Sequence, residues 1–556
     1  MTNKTYFKKN NEFIILAIFY FISILAVLLI FRDFGVHIEE RFHRMNGLYW
    51  LNYISEVFEF KKLYLITNSK MSVVDDFTLS SVSHYNKYGA IFDVPMALIE
   101  IMFGMEKTKN IYHVKHFFSF LVFLTSSFFF YKILNKRFKN FYLCFAGTIL
   151  FLTTPRIFGD SFLYKDVLFL SFFNISLYFL LELLENLDIK KIIYFSIFCA
   201  IAFNLRIFVL FLPITFFLIL LIKSFYTKKI ITYIKFYLFY LFLFICLIIF
   251  FSPYLWSNPF ANFLEIFYSL KRDLIGANIK VLFNNEFINN RNVPETYLLT
   301  WIFISTPIIT IIIFSLGYFF YFFRLIKRFV RIEEKSNFND LWRSNKEQKD
   351  FTIFLILTSF YFSLLIFNSP FYNGWRLVYF LNIFIIYFFI YQIDILMIFY
   401  KKNHLKKKFV SSLIIASVIY NIFCLIKYHP FQSYYFTEVI GQDMKNSFEG
   451  DYYGLSGKDF FLRLNSEYKG STIKIAVASH TPLYRALDSI DENKRKKFKV
   501  IGQDYKNADF IYKNNNSEVN SNLNKKYNIP NNFDKIYELK INGIKLYEIY
   551  KNKNIK

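Results

Sequence analysis

Phe13-Ile14-Ile15-Leu16-Ala17-Ile18-Phe19-Tyr20-Phe21-Ile22-Ser23-Ile24-Leu25-Ala26-Val27-Leu28-Leu29-Ile30-Phe31 is an unbroken apolar run. Within three residues it gives way to Phe34-Gly35-Val36-His37-Ile38-Glu39-Glu40-Arg41-Phe42-His43-Arg44-Met45-Asn46-Gly47. A helix needs roughly 20 apolar residues to cross hydrocarbon about 30 Å thick, so the run reads as a membrane span and the charged stretch as its mouth. The run is too long for the apolar part of a cleavable signal, and no small-residue cleavage site follows it, so the span is expected to remain as an anchor.

The remainder of the chain repeats this pattern. Of 556 residues, 55% are hydrophobic and 22% aromatic, with only 16 Gly and 11 Pro, which excludes an ordinary soluble enzyme. Spans are expected at 13–31, 113–134, 140–155, 162–184, 192–204, 206–222, 231–252, 299–323, 351–367, 376–399 and 409–426, about 11 transmembrane helices. Every second connection is basic: Lys4, Lys8 and Lys9; Lys132 to Lys139; Lys190 and Lys191; Lys223 to Lys235; Arg324 to Lys349; Lys401 to Lys408. The positive-inside rule then places the N-terminus in the cytoplasm and the tail outside, in an inner (cytoplasmic) membrane. These loops account for much of the +25 net charge, so no nucleic-acid partner is inferred, and membrane lipids are the expected surroundings. All four cysteines lie in or beside spans, with neither disulfide framework nor zinc spacing.

The expected fold class is therefore an α-helical polytopic membrane protein with a small extracytoplasmic C-terminal α/β domain. Residues 1–426 form the membrane domain, with interfacial helices in the first outer loop, 32–112, and residues 427–556 form the outer domain. In the tail, Lys474 to Ala478, Phe498 to Ile501 and Ala508 to Tyr512 are strand-like, and Asn542-Gly543 between Ile536 to Ile541 and Ile544 to Ile549 signals a tight hairpin. Asn514 to Lys526 reads as a loose loop.

Ionisable residues at membrane depth are costly and usually face a cavity. The outer connections hold Glu39, Glu40, Asp75, Asp76, Asp93, Arg156, Asp160, Lys165, Asp166, Arg206 and Arg376. Such a mixture suits transfer of a sugar from a polyprenyl phosphate: cations neutralise the departing lipid phosphate, and a carboxylate takes the proton of the acceptor hydroxyl. Glu39 and Glu40 stand at the base end, and Arg156, Lys165 and Arg376 at the phosphate end. The plainer reading of the Glu pair is a solvated helix start, where acidic side chains are favoured. His113 and His116, at i,i+3, could pair on a metal, although a place at the lipid headgroup level is simpler; Trp256, Trp301 and Trp375 fit an aromatic belt.

Several strings resemble the bacterial integral-membrane glycosyltransferases of the GT-C fold, the group of the protein O-mannosyltransferases (glycosyltransferase family 39-like) and the lipid A aminoarabinose transferase. They are Pro155-Arg156-Ile157-Phe158-Gly159-Asp160-Ser161-Phe162-Leu163-Tyr164-Lys165-Asp166, Tyr88-Gly89-Ala90-Ile91-Phe92-Asp93, Asn373-Gly374-Trp375-Arg376-Leu377-Val378-Tyr379-Phe380, His429-Pro430-Phe431-Gln432-Ser433-Tyr434-Tyr435-Phe436 and Asp451-Tyr452-Tyr453-Gly454. The resemblance implies a polyprenyl-phosphate sugar donor, inverting hexosyl or pentosyl transfer to a glycan, lipid or protein acceptor, and a catalytic acidic residue, the base, in the first outer loop. That position is commonly Asp in an Asp-Glu pair and is occupied here by Glu39-Glu40; Asp76 or Asp93 is next in line. Asp166 resembles the second acidic position, and Tyr88 and Asp93 join the substrate-binding set with Arg156, Lys165 and Arg376. No metal ligands are assigned, and the sequence leaves open whether a divalent metal is held. A transporter or flippase of lipid-linked saccharide, or a non-catalytic scaffold, is the alternative; no internal repeat of the kind transporters carry is found.

Overall fold

The computed structural model describes residues 3–74, 89–163, 165–276, 280–330, 341–468, 472–516 and 521–555. Tyr88, Asp75 and Asp76 lie outside the described residues.

The first apolar run forms α1 (Asn3–Ile30). Three shorter helices follow it: α2 (Glu40–Val57), α3 (Lys61–Val73) and α4 (Asp93–Met102). The bundle continues through α5 (Thr108–Phe138), α6 (Phe141–Thr153), α7 (Pro155–Asp160), α8 (Asp166–Glu185), α9 (Ile189–Leu205), α10 (Phe211–Thr227), α11 (Ile230–Phe251) and α12 (Pro259–Gly276). A small antiparallel hairpin, β1 (Lys280–Phe283) and β2 (Glu286–Asn289), precedes α13 (Tyr297–Ser305), α14 (Ile308–Val330), α15 (Asn345–Ile366), α16 (Leu381–Phe399) and α17 (His404–Lys427). Each expected span but one corresponds to a single helix. Among the described residues nine helices are long and apolar enough to cross a membrane, while α6 and α9, at 13 and 17 residues, are the two short ones. The stretch expected as one span at 299–323 is two helices, because Pro307 lacks the N–H to continue α13 into α14.

Local chemistry sets the turns at the basic end. Lys139 closes α5 in a left-handed conformation (φ 55°), and the Asn140 side chain then accepts the Leu143 N–H to start α6. Asp188, Ser344 and Asn403 cap α9, α15 and α17 in the same way. Ion pairs brace this end: Arg137 reaches Asp350 through Nε at 2.6 Å and Nη2 at 2.8 Å, and Tyr387 donates to the same carboxylate at 2.6 Å. Packing decides which faces meet lipid. Leu381 to Ile393 of α16 are all buried, which makes α16 the central helix, whereas α1, α11, α14 and α17 turn Phe21, Leu29, Phe242, Phe323 and Ile419 outward.

After α17 come the short α18 (Gln442–Asn446), then α19 (Ser456–Glu467) and a sheet of β3 (Ile473–Val477), β4 (Phe498–Val500), β5 (Phe510–Lys513), β6 (Phe533–Ile541) and β7 (Ile544–Asn552). Strand order is β4-β3-β5-β7-β6, parallel for the first three and antiparallel beyond. The β6–β7 hairpin turns at Asn542-Gly543, with φ of 53° and 81°, the paired left-handed geometry that favours Asn-Gly. Phe460, Phe461 and Leu464 of α19 cover one sheet face against Phe498, Tyr512 and Tyr547, and Tyr527 and Phe533 cover the other.

This α/β unit grips the first loop. Arg41 makes a two-pronged bond to Asp488, Arg485 donates to the Ile38 carbonyl, and Lys458 donates to the carbonyls of Arg32 and Asp33. Gly47 allows α2 to close onto α4, since a Cβ there would stand 2.3 Å from the Asp93 carbonyl oxygen. We expect Gly47→Ala to destabilise the protein by about 1–3 kcal/mol through overpacking, seen as a lower thermal midpoint in detergent; an unchanged midpoint would show that the two helices can separate freely.

Candidate active site

The loops at the end of the bundle away from the basic turns converge on residues 37–40. Phe34 stacks on Phe162 at 4.0 Å, Gly35 lies against the Leu455 carbonyl, and the Ile38 N–H donates to the Tyr453 carbonyl at 3.1 Å. The chain therefore reaches α2 with its direction already set, and the start of the helix sends the two glutamates opposite ways. Glu40 turns inward: it is buried, accepts the His37 N–H at 3.0 Å, and meets His116 Nε2 at 2.9 Å. Glu39 turns outward with its side chain 46% exposed, and its Oε1 accepts from Arg376 Nη2 at 3.2 Å.

Arg376 is the hub. It follows α15 in the loop before α16, lies between the rings of Tyr372 and Tyr453 at 5.2 and 5.4 Å, and extends Nη1 to within 3.7 Å of Asp166 Oδ2. Asp166 opens α8 and is also held by Arg206, the residue after α9. Lys165 belongs to the same electrostatic cluster, in the field of Arg206, Asp166, Glu39 and Asp93, and holds a backbone φ of 85°. Glu39, Lys165, Asp166 and Arg376 are thus brought together from three separate stretches of chain.

The other expected residues sit behind this front. Asp93, on the first turn of α4, is buried and accepts from Asn46 at 2.8 Å; His43 Nδ1 lies 3.2 Å away and Lys115 Nζ 3.8 Å from its second oxygen. It ties α2, α4 and α5 together. Arg156 is fully buried, donating to the Tyr435 carbonyl at 3.0 Å with its guanidinium over Trp301 and Phe436. Asp160 accepts from Tyr379 at 2.6 Å and Tyr453 at 3.0 Å.

Two simpler expectations need correction. Trp301 and Trp375 are buried in the core and not in a belt, because Arg156 needs an aromatic wall and the Trp375 indole N–H donates to Ser305 Oγ at 2.7 Å. His116 and His113 are buried rather than at headgroup level, and His116 is the partner of Glu40. Among the described residues, no three His, Cys, Asp or Glu side chains gather as metal ligands.

Electrostatics separate the roles further. Desolvation pushes the Glu39 carboxyl up, but the Arg376 guanidinium outweighs it and holds Glu39 well below the usual carboxylate range. Burial lowers His37 to about 4, so its ring is neutral. Burial beside Arg206 brings the Lys165 ammonium down to about 7, and burial lifts Asp160 to about 6 despite its hydroxyl donors. The Nε–H groups of Arg376 and Arg206 are buried without a hydrogen-bond acceptor among the described residues. The front of the site thus combines an ionised, half-exposed carboxylate with two guanidiniums that retain unspent donors.

Sequence reading named Arg206 among the outer charges without giving it a role, and it quoted Tyr453 only inside the Asp451-Tyr452-Tyr453-Gly454 string. The missing information was distance: Arg206 is 40 residues from Asp166, and Tyr453 touches both Asp160 and Arg376 only after folding.

Fold and site define a multi-pass α-helical membrane protein whose charged loops meet at one end beneath a small α/β unit. Residues 95–256 match the family model described as dolichyl-phosphate-mannose-protein mannosyltransferase, within the region where the sequence strings resembled the GT-C glycosyltransferases. No curated protein matches the chain. Solved structures similar to it include ArnT from Cupriavidus metallidurans in the apo state, at 9% identity and TM-score 0.45, covering 96% of this chain and 98% of that one. The same protein bound to undecaprenyl phosphate gives 10% and 0.41 over the same shares. The apo Archaeoglobus fulgidus oligosaccharyltransferase gives 12% and 0.41 over 74% of this chain, which spans only 56% of that protein's length.

Asp93→Ala would leave Asn46, His43 and Lys115 buried around a missing carboxylate. The expected loss is about 3–5 kcal/mol of stability, measured as a fall in the thermal midpoint; stability equal to wild type would mean that Asp93 does not hold the three helices.

Proposed function

We propose that the protein is a membrane glycosyltransferase that moves a sugar from a polyprenyl-phosphate donor to an extracytoplasmic acceptor with inversion. The observation that carries this reading is the Glu39–Arg376–Asp166 arrangement: one ionised carboxylate open to solvent, backed by the Arg376 and Arg206 guanidiniums that Asp166 holds beside it. Glu39 accepts the proton of the acceptor hydroxyl as that oxygen attacks the anomeric carbon from the face opposite the phosphate. The glycosidic bond to phosphate breaks, and the charge growing on the departing lipid phosphate is met by Arg376, Arg206 and Lys165. Because that charge peaks as the bond breaks, the cations act more strongly on the transition state than on the bound donor. Asp166 fixes both arginines, Glu40 braces the loop through His116, and Arg156 and Asp93 shape the walls. In this reading the basic connections face the cytoplasm, so the N-terminus lies there and the site with its α/β cover faces the periplasm.

Transfer of label from a panel of radiolabelled polyprenyl-phosphate sugars tests this in membranes carrying wild type or Glu39→Gln. The variant should lose roughly 10²- to 10⁴-fold in turnover while donor binding stays within about twofold. Equal transfer by both proteins would remove Glu39 from the base role. Transfer from no donor, by either protein, would favour the transport or scaffold reading.

Arg376→Leu removes the charge that holds Glu39 down, so the acid limb of kcat/KM against pH should move to higher pH, toward the ordinary carboxylate value near 4.3. The sign follows from the base: a higher pKa leaves less Glu39 ionised at a given acidic pH. An acid limb that stays in place would show that Arg376 does not set the ionisation of the base.

A further inference from the structure

Tyr453 belongs to the Asp451-Tyr452-Tyr453-Gly454 string and is buried, yet neither the base nor the cations of the transfer include it. We propose that Tyr453 is a positioning residue of the site, whose ring seats both the Arg376 guanidinium and the loop carrying Glu39, so that one side chain fixes the phosphate-binding cation relative to the base. This inference rests on the donor-site reading of Arg376.

The contacts close a circuit. Arg376 Nη2 donates to Glu39 Oε1 at 3.2 Å, and the guanidinium carbon lies 5.4 Å from the centre of the Tyr453 ring. That ring lies 4.3 Å from the His37 ring, whose Nδ1 accepts the Glu39 backbone N–H at 2.8 Å. The main chain of Tyr453 joins the same loop, since its carbonyl accepts the Ile38 N–H at 3.1 Å. Gly454 follows at a φ of 71°, and a Cβ there would stand 2.9 Å from Ile38 Cγ2, so the close approach of the two segments needs glycine. The Tyr453 hydroxyl donates to Asp160, the last residue of α7, at 3.0 Å. Tyr453 is thus pinned at its carbonyl, its ring and its hydroxyl.

The turn that carries Tyr453 is itself anchored in the α/β unit. Asp451 accepts from Tyr434, from Ser456 and, at 3.3 Å, from Tyr512 of β5, and the Ser456 and Tyr512 hydroxyls meet at 2.9 Å. The Asn514 amide donates to the Tyr512 oxygen at 3.1 Å and to Thr481 at 2.7 Å. A rigid support of this kind suits an arginine, whose long side chain loses much rotamer freedom when it is fixed. An aromatic ring attracts the guanidinium without cancelling its charge, whereas a carboxylate in the same place would offset the charge that a phosphate needs. Tyr372 offers a second ring at 5.2 Å but is only half-buried, so removal of the Tyr453 ring loosens Arg376 without freeing it.

The test measures binding of undecaprenyl phosphate to the detergent-solubilised full chain, with the thermal midpoint recorded for each variant. Tyr453→Phe and Tyr453→Leu are compared in the wild type and in an Arg376→Leu background. Tyr453→Phe keeps the ring, and Tyr379 still donates to Asp160, so affinity should stay within about twofold of wild type. Tyr453→Leu loses the ring and should bind about tenfold more weakly. In the Arg376→Leu background the same Leu substitution should change affinity by less than about twofold, because the guanidinium that the ring seats is already gone. A mere fall in stability would weaken binding equally in both backgrounds. Wild-type affinity in Tyr453→Leu, a Tyr453→Phe protein as weak as Tyr453→Leu, or equal losses from Tyr453→Leu in the two backgrounds would each overturn the proposal. Arg376→Leu is the separate control: if that variant alone binds like wild type, the donor site itself is overturned, and with it the part assigned to Tyr453.

Discussion

An ionised group cannot stay unpaired where hydrocarbon replaces water, and that constraint orders this structure. Charges are driven to the two ends of the bundle and are partnered there. At one end they are consumed in braces such as Arg137–Asp350–Tyr387, which join α5, α15 and α16. At the other end pairing is incomplete by the geometry of the loops: Arg376 is shared among Glu39, Asp166 and two aromatic rings, and it keeps an unspent Nε–H. The same physics therefore produces a structural clamp where donors and acceptors match and a site where they do not.

The chain's two adjacent glutamates illustrate how such a site is sorted. Their chemistry is identical, and they differ only in direction at the start of α2. Glu40 is enclosed by His116 and the His37 N–H, whereas Glu39 looks outward to Arg376 and solvent. Direction depends on the approach of residues 34–38, which Phe162, Leu455 and Tyr453 hold from the far side of the fold. The α/β unit contributes through the same contact. By holding Arg41, Ile38 and the carbonyls after α1, it stiffens the loop that carries the carboxylate.

Much of the architecture was legible from residue pattern. Apolar length and basic loops located the long helices of the bundle, and the Asn542-Gly543 turn and the short strand-like runs marked the sheet. The errors came where a side chain's partner is remote. Trp301 and Trp375 read as belt residues because aromatic side chains near span ends usually are; in the fold they surround the buried Arg156 or bond to Ser305. His113 and His116 read as headgroup residues, yet the carboxylate that engages His116 lies 76 positions away.

The sequence by itself determined that this is a multi-pass helical membrane protein with charge gathered at the span ends and an α/β tail, because hydrophobic length, turn chemistry and the cost of buried charge act locally along the chain. Only the tertiary structure decided which charges meet. Arg376 joins Glu39 across 337 positions, and Arg206 joins Asp166 across 40. A guanidinium's partners depend on where the loops converge, and no local pattern encodes that convergence.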